Sequence, residues 1–219
     1  MTNEITMPSD YPVVVLISGN GSNLQALIDT SSTSNFKIVG VISNNPSAYG
    51  LERASASSIP TFVIDHHDFL DRVSFDRALI KQIDLLNPSL IVLAGFMRIL
   101  SSEFVNHFPV NILNIHPSLL PKYPGINTHQ RVLQAGDREH GVSVHFVTED
   151  LDGGPVAAQA KITVEPEDSE KSLTEKVHTK EQLIYPYVVS LFASGQLRMY
   201  DNKAWLGLSV LPDTGIKLG

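Results

Sequence analysis

Residues 13–17 read Val-Val-Val-Leu-Ile, five consecutive apolar side chains with no polar residue between them. β-Branched side chains favour extended backbone, and a strand without alternation must be covered on both faces. That condition points to architectures with helices on both sides of a sheet. The next stretch is equally restrictive: Ser18-Gly19-Asn20-Gly21-Ser22-Asn23, then Leu24, Leu27 and Ile28 at helical spacing. Strand, glycine-rich turn and helix together leave unpaired N–H groups at a helix N-terminus, where an anion is held. Gly19-x-Gly21 is not the dinucleotide fingerprint, because Leu24 stands where a third glycine belongs, and no Gly-Lys-Ser/Thr follows. A single phosphate, with Ser22 and Asn23 adding side-chain contacts, fits this turn; the alternative is a tight strand-to-helix connection with no ligand.

Strands and helices go on alternating. Residues 36–43 read as a strand, a short helix begins near Tyr49, and Thr61–Ile64 is a third strand. His66-His67-Asp68 suggests a metal only superficially, since adjacent histidines lie on opposite sides of an extended chain; a solvated loop is expected. Phe75, Leu79, Ile83 and Leu86 fall at helical spacing over 74–86, and Asn87-Pro88 ends that helix. Ser89–Ala94 is a buried strand, from whose end the loop Gly95–Leu100 departs. A helix over Thr128–Ala135 closes at Gly136. Val142–Val147 alternates and predicts one apolar and one polar face, with an antiparallel return over 157–164. Ser172–Glu175 offers a capping box for a long helix in which Pro186 predicts a kink or break. Residues 197–200 and 204–206 read as a terminal hairpin. The expected fold is a three-layer α/β/α domain whose twisted sheet is mostly parallel, with an antiparallel C-terminal portion. Two half-domains meeting near residue 100 are an alternative.

Residues 112–125 carry the chemistry. Ile112, Leu113 and Ile115 are apolar, and Asn114 and His116, two residues apart on a strand, point the same way. Pro117 stops the strand at once. A carboxamide and an imidazole therefore stand together at a strand's C-terminal end, where ligands sit in open α/β sheets. Both donate to an oxygen that turns negative during attack on a carbonyl, and histidine also moves protons near neutral pH. A buried polar pair with no catalytic role is the alternative.

Composition removes other classes. The 219 residues contain no cysteine, so disulfides, thiolate metal sites and a Cys nucleophile are excluded. A net charge of −7 argues against a nucleic-acid partner, and it leaves any phosphate to local N–H groups rather than to the global field. No apolar run approaches a membrane span, and residues 1–12 lack a signal pattern, so a cytoplasmic location is expected.

Five blocks share a further property: Ser18–Asn23, Ala94–Leu100, Asn114–Gly125, His140–His145 and Leu151–Pro155 together resemble the folate-dependent formyltransferases, in their glycinamide ribonucleotide branch. The resemblance spans Val13 to about Leu206. It implies the formyltransferase fold, with residues 1–12 as an N-terminal extension and 207–219 as a tail. The nucleotide-phosphate half would cover about 13–100 and the catalytic and folate half about 101–206. It implies transfer of a formyl group from 10-formyltetrahydrofolate to the amine of glycinamide ribonucleotide, in purine synthesis, by a monomer or homodimer using no metal. Asn114, His116 and Asp152 match the family's catalytic positions. Gly21, Ser22, Asn23, Pro117 and Glu181 match its phosphate and nucleotide contacts. Arg72, Met97, Arg98, Ile99, Leu100, Thr148, Glu149, Asp150 and Leu151 match its folate-site segments. Asn127 departs from the pattern, standing where a histidine is often found. The alternatives are a related formyltransferase or deformylase, or a non-catalytic binder of phosphosugars or nucleotides.

Overall fold

In the computed structural model, which describes residues 10–218, strand β1 (Tyr11–Ile17) holds Val13 to Ile17 without solvent exposure. Residues 1–9 of the expected N-terminal extension lie outside the described residues, whereas Tyr11 and Pro12 already belong to β1. After β1 come α1 (Ser22–Ser31), β2 (Phe36–Ser43), α2 (Tyr49–Ala56), β3 (Thr61–Val63), α3 (Arg72–Leu86), β4 (Leu90–Leu93) and α4 (Ser102–His107). Then follow β5 (Ile112–His116), α5 (Thr128–Ala135), β6 (Glu139–Phe146), β7 (Val156–Thr163) and α6 (Glu170–Ala193). The chain closes with β8 (Leu197–Tyr200), β9 (Lys203–Leu206), β10 (Ser209–Val210) and β11 (Ile216–Leu218).

One sheet has the order β11-β7-β6-β5-β4-β1-β2-β3, and β8–β10 form a small second sheet. Pairing is parallel from β3 to β5, antiparallel at β5–β6 and β6–β7, and parallel again where β11 joins β7. Side chains of β1 alternate between two cores. Val13, Val15 and Ile17 pack with α1, α2, α5 and α6, while Val14 and Leu16 pack with α3 and α4. The fold is the expected three-layer α/β/α arrangement with a mostly parallel sheet. Because β1 leads to β2 on one side and neighbours β4 on the other, strand order reverses beside it. Such a reversal opens a crevice at the C-terminal strand ends.

Two helix starts differ from expectation. Helix α3 starts at Arg72 rather than Ser74, because the Asp71 carboxylate accepts the Ser74 N–H at 2.7 Å and Ser74 reciprocates on Asp71. Helix α6 is capped by Ser169, with Ser172 as its reciprocal third residue rather than its first. It also runs through Pro186 without a break; the carbonyl deprived of a partner belongs to Gln182, an exposed residue that water can serve. Strand β6 has the expected apolar and polar faces, and both are covered: His140 to Phe146 are all buried. Its polar side is covered by the proline-rich loop 117–125. Ser143 Oγ accepts the Leu120 N–H at 3.0 Å and donates to Ser118 O at 2.7 Å, while Gln159 Nε2 donates to Leu120 O at 2.7 Å.

Tyr185 ties α6 to the strand ends. Its ring is fully buried, and its hydroxyl lies 2.8 Å from Leu93 O and 3.1 Å from Leu113 O, on β4 and β5. Burial pushes the phenol well above its usual range, so it remains a donor. Tyr185→Phe should keep the fold and lose about 1–2 kcal/mol of stability, since a donor to buried carbonyls disappears while ring packing stays. Urea unfolding would show a lower midpoint at an unchanged slope; an unchanged midpoint would remove the hydroxyl from the account.

Candidate active site

The turn after β1 is shaped by two glycines. Gly21 caps α1 in the left-handed region, at φ +77°, and no side chain caps the helix. A Cβ at Gly21 would meet the Cα of Gly50 at 2.7 Å, and one at Gly50 would meet Ile17 Cδ1 at 2.5 Å. Gly50 is crowded as well, though by the end of a side chain rather than by backbone, and nothing in its own local sequence marks it. Arg53 Nε donates to Asn20 O at 2.9 Å and braces the turn from α2. With no side-chain cap, the first-turn N–H groups of Ser22 and Asn23 remain available to an anion. Glu181, from α6, joins them: Asn23 Nδ2 donates to Glu181 Oε2 at 2.9 Å in a buried contact. Burial pushes the Glu181 carboxyl up, partly opposed by that donation.

Asn114 and His116 share a face of β5, directly opposite His145 and Ser143 of β6. His145 Nδ1 lies 2.9 Å from Phe146 O, an acceptor only, so this nitrogen carries the proton and Nε2 accepts. Asn114 Nδ2 therefore donates to His145 Nε2, at 3.0 Å, keeping its second N–H for a ligand. Burial lowers His145 to about 4, consistent with a neutral ring. His116 is placed in the opposite way. Its Nε2 donates to Tyr123 O at 2.8 Å, and its Nδ1 lies 3.5 Å from Asp152 Oδ2. Both ring nitrogens face acceptors, which an imidazolium with two N–H donors satisfies.

Asp152 sits in the left-handed region at φ +52°, on the turn between β6 and β7. Its Oδ2 accepts the Gly125 N–H at 2.8 Å, and its Oδ1 lies 3.7 Å from His145 Nε2. One carboxylate thus touches both histidines and the proline-rich loop. His145 joins Asn114, His116 and Asp152 as a member that sequence reasoning missed. The antiparallel β5–β6 register was the signal that would have found it. Pro117 directly follows His116 at the end of β5, beside this group.

Beside Asn114 opens a cleft walled on one side by Arg98, Ile99 and Leu100 and on the other by Thr148, Glu149, Asp150, Leu151 and Asp152. Leu93, Phe96, Val105 and Val147 supply apolar floor, suited to a flat heterocycle. Two expected residues are not in this lining. Met97 is 75% exposed and contributes its backbone elsewhere, and Arg72 is the exposed first residue of α3. His66–Asp68 is a 3-10 turn rather than an extended loop, with the two imidazoles stacked 3.9 Å apart. Ligand atoms of Asp65, His66 and His67 lie within 4.8 Å, but His67 Nδ1 is already 2.8 Å from Asp65 Oδ1 and His66 Nδ1 3.0 Å from Asn44 O. Both nitrogens are already engaged, one within the turn and one on Asn44 after β2. Asn127, where a histidine was expected, opens α5 in the left-handed region.

Residues 12–189 match the family described as Formyl transferase. The chain is 54% identical to phosphoribosylglycinamide formyltransferase of Escherichia coli strain K12, over 93% of this chain and 97% of that one. It is 45% identical to the trifunctional purine biosynthetic protein adenosine-3 of Drosophila melanogaster, over 84% of this chain but 14% of that longer protein. Among solved structures it superposes on phosphoribosylglycinamide formyltransferase of Coxiella burnetii with a TM-score of 0.92 and 49% identity, covering 96% of this chain and all of the other.

Neutral His145 has a consequence for stability. An unfolded histidine takes up a proton near pH 6.5, whereas the folded one resists until about pH 4. Between those values the unfolded state binds more protons, so stability is full above about pH 6.5 and falls as pH drops towards 4, by about 3 kcal/mol in total. His145→Gln, which keeps an acceptor but does not titrate, should flatten this dependence. Urea unfolding at pH 7.5, 6 and 5 compares the two proteins, and parallel curves would mean that His145 titrates normally.

Proposed function

The chain belongs to the formyl transferase family, and from that premise we propose that it formylates the amine of phosphoribosylglycinamide in purine biosynthesis. The donor in this reading is 10-formyltetrahydrofolate, bound as co-substrate, and the products are the N-formyl compound and tetrahydrofolate. The observation that carries it is the convergence of Asn114, His145, His116 and Asp152 between an uncapped helix N-terminus and a cleft with apolar floor. A protein that only bound phosphosugars would need the first of these features and have no use for the rest.

In this reading the phosphate sits on the N–H groups of Gly21, Ser22 and Asn23, and buried Glu181 accepts from hydroxyl or amine groups of the same substrate. The folate lies between residues 98–100 and 148–152, with Met97 and Arg72 at the rim. The division of labour follows: about 13–100 serves the phosphate, about 101–206 the chemistry and the folate. The neutral amine attacks the formyl carbon, forming the new C–N bond and leaving an oxyanion beside an ammonium. The free N–H of Asn114 and a ring N–H of His116 stabilise the oxyanion. For Nε2 to do so, the substrate oxygen replaces Tyr123 O as its acceptor. Asp152, 3.5 Å from His116 Nδ1, balances the charge of that ring and, directly or through water, takes the ammonium proton. That proton balances the one the folate nitrogen gains as the C–N bond to it breaks. Donors and one base suffice, so no metal is invoked. No helix of the described residues is long and apolar enough to cross a membrane. The reading is of a cytoplasmic enzyme, monomeric or homodimeric, with no nucleic-acid partner.

Mixing the purified protein with both substrates and following folate absorbance, with mass analysis of the formylated product, tests the reaction; no product at saturating substrates would end the proposal. Two variants test the roles. Asn114→Ala should lose about 3–4 kcal/mol of transition-state stabilisation, some hundredfold to thousandfold in kcat, with modest change in substrate affinity. Asp152→Asn keeps shape and still accepts the Gly125 N–H, but has no charge and is no base. It should fold, bind both substrates and turn over far more slowly; normal rates would leave Asp152 a structural cap.

A further inference from the structure

The phosphate turn leaves β1, and the loop that walls the folate cleft leaves β4, its parallel neighbour. One hydroxyl stands between them. Ser18 Oγ accepts the Met97 N–H at 2.8 Å and donates to Asn44 Oδ1 at 2.5 Å. Asn44 is buried, and its carbonyl oxygen lies 3.0 Å from His66 Nδ1. Asn45 Nδ2 donates to the Ser18 carbonyl at 3.3 Å. Ser18 is therefore fixed from the β2 side by two asparagines. At the far end of the second loop, the Ser101 N–H donates to Asp76 Oδ2, a buried carboxylate on α3, at 2.6 Å. Residues 97–100 are slung between these two acceptors. Among the described residues, the Ser18–Met97 bond is the one hydrogen bond joining residues 18–23 to residues 95–100.

Resting on the functional reading above, we propose that Ser18 is a positioning residue that couples the two substrate sites. A phosphate seated on the turn holds residues 19–23 in one arrangement, and Ser18, their immediate neighbour, is held with them. Its hydroxyl then presents one acceptor geometry to Met97 N–H, which sets the backbone of the loop that meets the folate. The hydroxyl donates and accepts at once, so tightening one of its bonds strengthens the other. Linkage makes the effect reciprocal: folate on residues 98–100 must favour phosphate on the turn by the same factor.

The test uses the intact protein with phosphoribosylglycinamide and tetrahydrofolate, a pair that carries no formyl group and does not react. Calorimetry gives the affinity of each alone and with the other saturating. The wild type should show mutual tightening of about fivefold or more, equal in both directions. In Ser18→Ala this factor should fall towards one, whatever happens to the separate affinities. If Ser18→Ala does not fold, Ser18→Cys decides, since it keeps the shape with a much weaker donor and acceptor. A wild-type factor of one overturns the proposal. So does a wild-type-like factor in the variant with weakened separate affinities, the result expected of a purely structural serine. A wild type that binds neither compound removes the functional reading, and this proposal with it, whereas binding of both without mutual effect removes the coupling alone.

Discussion

Burial of β1 on both faces is the constraint from which the rest follows. Five fully covered side chains, Val13 to Ile17, each contribute about 1.5–3 kcal/mol against exposure, and they do so only if helices lie on both sides of the strand. The same residues give β1 two parallel neighbours, β2 and β4. With strand order reversing beside β1, the turn 18–23, the loop 95–100 and His116 all emerge at one sheet end. The uncapped turn of α1 and the cleft beside Asn114 are brought together by that geometry, not by any attraction between the loops.

The electrostatics of the site are local. A chain of net charge −7 offers an anion no favourable global field, which leaves any anion to backbone N–H groups and a few aimed donors. Two histidines close in space have opposite hydrogen-bonding surroundings. His145 has a carbonyl on one nitrogen and an amide donor on the other, which requires a neutral ring. His116 has a carbonyl on one side and a carboxylate on the other, which suits a cation. Asp152 lies against both, from a backbone in the left-handed region.

The antiparallel half of the sheet serves a different purpose. The proline-rich loop after β5 carries many backbone polar groups that a buried position would leave unpaired. Ser143 and Gln159, on neighbouring strands, meet those of Ser118 and Leu120. The loop in turn seals β6 and brings Tyr123 O to His116 and Gly125 N to Asp152. The C-terminal residues 216–218 extend the same sheet by pairing with β7.

What the sequence determined by itself was local or periodic: the unbroken apolar run of β1, the turn and helix after it, the shared face of Asn114 and His116, the strand stop at Pro117. Each depends on backbone geometry within a few residues, so the chain specifies it wherever it ends up. Polar alternation in β6 was legible, but whether its polar face meets water or a loop is decided by what packs there. Tertiary structure alone decided that Glu181 meets Asn23 across 158 positions, that Gly21 must be small because Gly50 passes it, and that His145 sets the amide of Asn114. It likewise decided that Ser18 holds Met97, 79 residues away. Those contacts depend on which strands become neighbours and in what register. That choice is made by the burial of the whole sheet, and no single segment carries a signal for it.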